Sequence, residues 1–385
     1  MLKMDEFLKN QIFSTHAVAA AGSVTLSTVL TYPLDTIKTL IQVGSDPLGS
    51  GKQLTTTQVL QRIQSFSGNS GLYSGFGWLA FGRLFGIGAR FGIYEIVTAF
   101  YKDGREDDHV HVSEALLAGL MAGAVESLIS SPFEIVKLRA QVASAVRVPS
   151  SVSLVGQEGA LVPSMSRFLH GYTPDQKALN HSVGLLSTLT TKHPNIKCAL
   201  QEYPWMMTGS GRPPAVSNVH RPSDIVSLEG WGALWRDLRS GIARDSVFSG
   251  VFFSTWQFMH RSMLIWKSIE MDPPPRSDEE VGPLSPLSVS LAAGFSGAVA
   301  AAASHGFDTA KSRSQCTVLP KYVAMERRFL KWRRPGNKFE RTTGIHPADR
   351  SLLFRGIGLQ MARCGFGSFF MVGGYYMIID HLLKG

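Results

Sequence analysis

The sequence predicts an all-α membrane protein assembled from three helix pairs, and three observations carry that prediction. First, two uncharged apolar stretches exceed the roughly 20 helical residues that a hydrocarbon core requires. They cover residues 10–34 and 281–307, which hold 25 and 27 residues without Asp, Glu, Lys or Arg. Second, an acid–base–glutamine pattern recurs three times, each time closing an apolar segment. Third, only 17% of the 385 residues are charged and 44% are hydrophobic, against roughly 25% charged in soluble domains. So apolar a chain is not disordered. Its net charge is +9. Cys198, Cys316 and Cys364 are odd in number and far apart, with no metal-ligand spacing. That excludes a disulfide scaffold and points to free thiols in reducing surroundings.

The elements follow in order. The first apolar segment runs into PLDTIKTLIQ (33–42). A glycine-rich segment, 72–99, is interrupted by Arg83, Arg90 and Glu95. The third starts at 115, continues past Glu126 and ends in PFEIVKLRAQ (132–141). Segments at 246–260, 281–307 and 364–379 complete the set, the fifth ending in GFDTAKSRSQ (306–315). Charges inside such segments are expensive in lipid, so they face a protein interior or a water-filled cavity. Arg90 and Glu95, five residues apart, read as packing or outer-mouth residues. Small residues four apart predict close helix contacts: Ala19 with Ser23, Gly119 with Gly123, Ala293 with Gly297. GIGARFG (86–92) lacks the strand–turn–helix setting of a nucleotide loop, so it reads as helix packing. The opening MLKMDEFLKNQIF is short and carries two acids, and the apolar run behind it is too long for a signal h-region. No cleavable secretory signal or transit peptide is expected, and targeting is internal.

Self-similarity organises the chain. The repeated triplets are Asp35, Lys38, Gln42; Glu134, Lys137, Gln141; and Asp308, Lys311, Gln315. A second element follows each: LYSGF (72–76), LWRDL (234–238) and LFRGI (353–357). Three repeats result, 1–105, 106–270 and 271–385, each a helix, a loop with a short helix, and a helix. The second repeat carries an insertion at about 144–223, rich in Ser, Pro and Gly, that reads as a flexible excursion. A linker, 271–286, separates the second and third repeats.

Three tandem copies of this pattern resemble the mitochondrial carrier family, over nearly the whole chain outside the insertion. The resemblance implies six tilted transmembrane helices in three pairs around a pseudo-threefold axis, with short matrix-side helices and a central water-filled cavity. It further implies alternating access in a monomeric, multi-pass protein of the mitochondrial inner membrane. Acid and base of each triplet, at i and i+3, share one helix face. Three such faces converging on the axis make a ring of charges, the matrix gate, with the glutamines bracing its ion pairs. Prolines at 33 and 132 permit kinks, while the third copy has Gly306 instead. The family's opposite gate is depleted here: Tyr94-Glu95 is followed by Thr98, Trp256-Gln257 by His260, and Tyr375-Tyr376 by Ile379.

Seven residues past Gly75, Asp237 and Gly356, the fourth position of each second element, lie Gly82, Arg244 and Arg363, matching the family's substrate contact points. The neighbouring Arg83 and Asp245 join them, and Glu126 is placed to meet a substrate amine or carry a proton. Arginine binds a carboxylate through a planar fork, so the expected cargo is a small anionic or zwitterionic metabolite. An amino acid ranks first, since Arg244-Asp245 resembles the pair in amino-acid carriers, followed by a dicarboxylate or keto acid. A carrier-shaped binding or scaffold protein without transport is the competing reading. Tyr73, Gly75, Trp235, Arg236, Phe354, Arg355 and Gly356 resemble the family's cardiolipin sites, with Asp237 in the glycine position weakening the middle one. The basic stretch 326–341 reads as an interfacial segment on anionic lipid rather than a nucleic-acid surface. No cofactor, metal set or catalytic constellation is legible, so an enzyme is not expected.

Overall fold

The computed structural model describes residues 2–43, 55–103, 110–145, 216, 219–269, 271, 281–316, 318 and 353–384. The insertion at 144–223, Cys198, the basic stretch 326–341 and most of the 271–286 linker lie outside the described residues. What is described is helical throughout. Six long helices are α1 (Leu2–Val43), α3 (Phe76–Lys102), α4 (Val112–Ser144), α6 (Leu238–Ile269), α7 (Pro286–Gln315) and α8 (Ile357–Lys384). Two short ones are α2 (Thr56–Ser67) and α5 (Pro222–Glu229). Of the six, α1 from Ser14, α4 and α7 are long and apolar enough to cross a membrane.

The long helices close a ring: α1 packs on α3, α3 on α4, α4 on α6, α6 on α7, α7 on α8, and α8 back on α1. The α1–α3 seam is the least extensive. The barrel is inside out relative to a soluble bundle. Val18, Leu26, Phe81, Phe100, Met121, Leu291 and Met377 are exposed on its outer face, whereas Ser27, Thr28, Thr31, Asp35 and Lys38 of α1 are buried. Such a surface suits lipid, where apolar side chains face outward and polar ones find partners within the bundle.

Helix ends follow their sequence signals. Ser285 caps α7 by accepting a hydrogen bond from the Ser288 amide, with Pro286 at the first helical position. Pro33 and Pro132 lie inside α1 and α4, which continue through them, and α7 continues through Gly306. At the end of the barrel that holds the triplets, α2 packs Val59 and Ile63 against Ile41. There α5 packs Ile225 against Ile135 and Val136.

The four-residue spacing of small side chains marks real helix crossings. A Cβ on Gly123 would lie 2.1 Å from the Asp245 carbonyl oxygen, and one on Gly119 2.6 Å from that of Ser249. On Gly297 it would lie 2.8 Å from the Cys364 carbonyl oxygen. Gly123→Ala therefore forces α4 off α6 at a cost of about 1–3 kcal/mol, read as a lower unfolding midpoint in detergent. Gly88→Ala meets open space and leaves the midpoint unchanged or raises it. Within GIGARFG only Gly86 approaches another helix, facing Ser130 and Glu126, while Gly88 and Gly92 have no neighbour within 4 Å. That narrows the packing role expected of the motif to one glycine.

Candidate functional site

The triplets end α1, α4 and α7 and meet at the barrel axis. Lys137 Nζ lies 2.5 Å from Asp35 Oδ2, Lys38 Nζ lies 2.5 Å from Asp308 Oδ2, and Lys311 pairs with Glu134. Every helix gives its lysine to one neighbour and its acid to the other, so the three pairs form one cycle between helices. The glutamines brace two of them. Gln141 Nε2 donates to Asp35 Oδ2 at 3.0 Å, and Gln42 Nε2 donates to Asp308 Oδ2 at 2.8 Å. Gln315 departs from the expected pattern, for its Nε2 is buried without a hydrogen-bond partner. The Glu134 carboxylate is taken by Lys311 and by Arg244 instead.

Above the ring lies a cavity of about 150 Å³. Its lining brings together Gly82, Arg83, Glu126, Arg244, Asp245 and Arg363, all six residues expected from the sequence, with the ring carboxylates and lysines as its floor. Arg244 Nη2 donates to Glu134 Oε1 at 2.6 Å, Nη1 to Asp308 Oδ1 at 3.4 Å, and Nε to Asp245 Oδ1 at 2.7 Å. Arg363 Nε lies 3.0 Å from Asp35 Oδ1, within ion-pair distance but out of hydrogen-bond alignment. Both arginines are thus engaged with the ring rather than standing free above it. Arg83 has no carboxylate partner among the described residues, and its Nη1 donates to Thr28 Oγ1 at 3.2 Å. Lining cations number seven (Lys38, Arg83, Arg90, Lys137, Arg244, Lys311, Arg363) against five carboxylates (Asp35, Glu126, Glu134, Asp245, Asp308).

Arg90 corrects the sequence reading. It lines the cavity, only 6% exposed, with Nη1 3.4 Å from Glu126 Oε2. The expectation of packing or an outer-mouth role followed from measuring its distance to Glu95 along one helix. Its partner stands on α4. Glu95 is exposed. At the far end of the barrel Tyr94 stacks on Phe253, Trp256 on His260, and His16 Nδ1 lies 2.8 Å from Tyr375 Oη. Those are aromatic and neutral polar contacts, where the ring end is ionic.

The second recurring element also has a geometric cause. Gly75 and Gly356 take φ of 81° and 80°, and Asp237 takes φ of 60° at the equivalent place. All three are left-handed residues at the starts of α3, α6 and α8. Asp tolerates this conformation at some cost and glycine adopts it readily, so Asp237→Gly should raise the unfolding midpoint. Tyr73, Trp235 and Phe354 are exposed. Arg236 differs from the lipid-facing role expected of it, because it pairs with the buried Glu229, which also takes Arg139 Nη1 at 2.5 Å. Nothing in the middle triplet announces that buried Arg139–Glu229–Arg236 cluster, although Arg139 follows Lys137 by two residues. Cys316 and Cys364 are free thiols. Burial pushes the Cys316 thiol up to about 12, so it stays protonated at neutral pH.

A family model described as "Mitochondrial carrier protein" matches residues 9–105 and 108–158. Over those two regions, together less than half of its length, the chain is similar to mitochondrial carrier proteins. Brown fat uncoupling protein 1 of Rattus norvegicus is 32% identical over 132 residues, 33% of this chain and 41% of that protein. Mitoferrin of Dictyostelium discoideum is 31% identical over 129 residues, 34% of this chain and 40% of its own length. A probable S-adenosylmethionine carrier 2, chloroplastic, of Arabidopsis thaliana is 36% identical over 124 residues, 32% of this chain and 31% of its own. The alignments thus span less than half the length of each of these relatives. The matched regions hold the first two of the repeated triplets, Asp35 to Gln42 and Glu134 to Gln141.

Proposed function

We propose that this protein is a solute carrier that moves a small carboxylate-bearing metabolite across the mitochondrial inner membrane by alternating access. An amino acid is the favoured cargo, followed by a dicarboxylate or keto acid. One observation carries the reading: a cavity with more cations than carboxylates ends on a closed ring of ion pairs, and two of its arginines bond to the ring itself. The name of one relative, an S-adenosylmethionine carrier, adds a cargo with an amino-acid end for that protein.

The geometry supplies a coupling mechanism. Removing one partner from a buried ion pair costs about 3–5 kcal/mol, so the ring does not open without a replacement charge. A cargo carboxylate entering from the far end competes for the Arg244 fork against Glu134 and Asp308, and for Arg363 against Asp35. Each arginine that turns to the cargo withdraws a counter-charge from the ring. Cargo binding then favours the ring-open state by its differential affinity for the two states. All six long helices span the bilayer in this reading, and the ring end faces the matrix. The exposed aromatics Tyr73, Trp235 and Phe354 lie at the interface as sites for cardiolipin, together with Gly75, Arg355 and Gly356. The working unit is a monomer.

Purified protein in liposomes, tested against amino acids, keto acids, dicarboxylates and nucleotides, checks the proposal. Saturable uptake of a carboxylate, lost in Arg244→Ala and in Arg363→Ala, supports it. An absence of uptake for every solute, with the fold intact, supports the carrier-shaped scaffold instead.

A further inference from the structure

We propose that Arg83 and Glu126 are the two poles of a site for the head group of an α-amino acid, and that Arg90 is the counter-ion that holds Glu126 while the site is empty. The inference rests on the carrier reading and names the chemistry of its cargo.

Three features point to a ligand here. Arg83 binds one hydroxyl, Thr28 Oγ1, and has no carboxylate partner among the described residues. The half-buried Arg83 guanidinium offers five donors, and one neutral acceptor leaves most of its capacity for an anion. The Glu126–Arg90 pair, at 3.4 Å between Oε2 and Nη1, is loose beside the 2.5 Å pairs of the ring. Finally, Arg90 Nε is buried without a hydrogen-bond partner, although the side chain lines the cavity and is more than nine-tenths buried. Its guanidinium sits 5.5–5.8 Å from the ring centres of Phe91, Phe248 and Phe252. Those rings hold a cation by its attraction to their faces but accept no conventional hydrogen bond from Nε.

The placement suits the head group. The Glu126 carboxylate lies against α3 at Gly86, where a Cβ would stand 3.9 Å from Oε1. Gly86 is three residues beyond Arg83, so both poles meet one face of α3, and both line the cavity. An α-carboxylate on Arg83 and its ammonium on Glu126 are complementary in charge at both poles. A carboxylate without the amine leaves Glu126 on Arg90 and gains only one pole. With the α-carboxylate on Arg83, a second carboxylate is left for Arg244 and Arg363 at the ring, so acidic amino acids rank first.

The test is uptake by liposomes of paired dicarboxylate probes that differ only in the amine: L-glutamate against glutarate, and L-aspartate against succinate. The wild-type protein should prefer the amino acid by on the order of tenfold or more. In Glu126→Gln that ratio should fall to near one. The double variant Glu126→Gln with Arg90→Gln leaves no orphan charge and should show the same loss of discrimination if the single variant folds poorly. Uptake of both members of each pair at equal rates by wild-type protein overturns the inference and leaves the carrier reading standing. Unaltered discrimination in the double variant overturns it too. Failure of all four probes to enter, with the protein folded, overturns the inference as well, and the wider panel of solutes then decides the carrier reading.

Discussion

Asp35→Lys should abolish uptake, and adding Lys137→Asp should restore much of it. In the single variant Lys137 and Arg363 lose their shared carboxylate and meet a third cation in its place. A buried ion pair broken from one side costs about 3–5 kcal/mol, and like-charge repulsion adds to that. In the double variant the α1–α4 pair re-forms with reversed polarity, although Arg363 then faces a lysine, so recovery is partial. Stability and uptake of wild-type, both single variants and the double variant form a cycle whose interaction term isolates the pair. A term of about 2–3 kcal/mol is expected for residues in one such network. Additive effects would mean that the two side chains touch without acting together.

Glu229→Gln is expected to be about as damaging, by a different route. Glu229 is buried and accepts from both Arg139 and Arg236. Arg139 is fully buried and also donates to the carbonyl oxygens of Gln315 and Val219 at 3.3 Å. Neutralising the acid takes its counter-charge from the buried Arg139 and the half-buried Arg236, at a cost of about 3–5 kcal/mol. The unfolding midpoint should drop by many degrees or the protein should fail to accumulate. Arg139→Met with Glu229→Met and Arg236→Met, which removes every charge of the cluster, should recover much of that loss. The cluster ties the end of α5 and the turn before α6 to α4 and α7. Its loss should therefore also loosen Lys137 and Gln315, which lie within two residues of its anchors on those helices.

Much of the site was legible in the sequence because it is repeated. Three triplets at matched places identify a ring without any knowledge of which acid meets which base. That last step was not legible: i and i+3 spacing describes one helix face, whereas the pairs join different helices in a cyclic order that only the closed barrel defines. The same limit hid Arg90, whose partner Glu126 stands 36 positions away in sequence. It also hid the attachment of Arg244 and Arg363 to the ring, since depth along a helix says nothing of which neighbour fills a fork. Arg236 was misread for a related reason. Its motif places it at a helix start, where a basic residue ordinarily faces solvent or lipid headgroups, and a buried acid from the preceding helix captured it. The fold itself followed from apolar length and small-residue spacing. Gly123 shows how literally the spacing is meant, with a backbone carbonyl of α6 in the place of its missing methyl.

The account stands or falls on the ring being one of two states, with cargo as the agent that opens it. Thr36 and Gln141 report on that directly, because Gln141 Nε2 donates to Thr36 Oγ1 at 3.1 Å across the α1–α4 seam while neither carries a gate charge. With Thr36→Cys and Gln141→Cys in otherwise unaltered protein, the yield of a short thiol–thiol cross-link should be high in the absence of cargo. It should fall as a transported solute reaches saturation. An unchanged yield across that titration, in protein that still takes up the solute, would contradict the account.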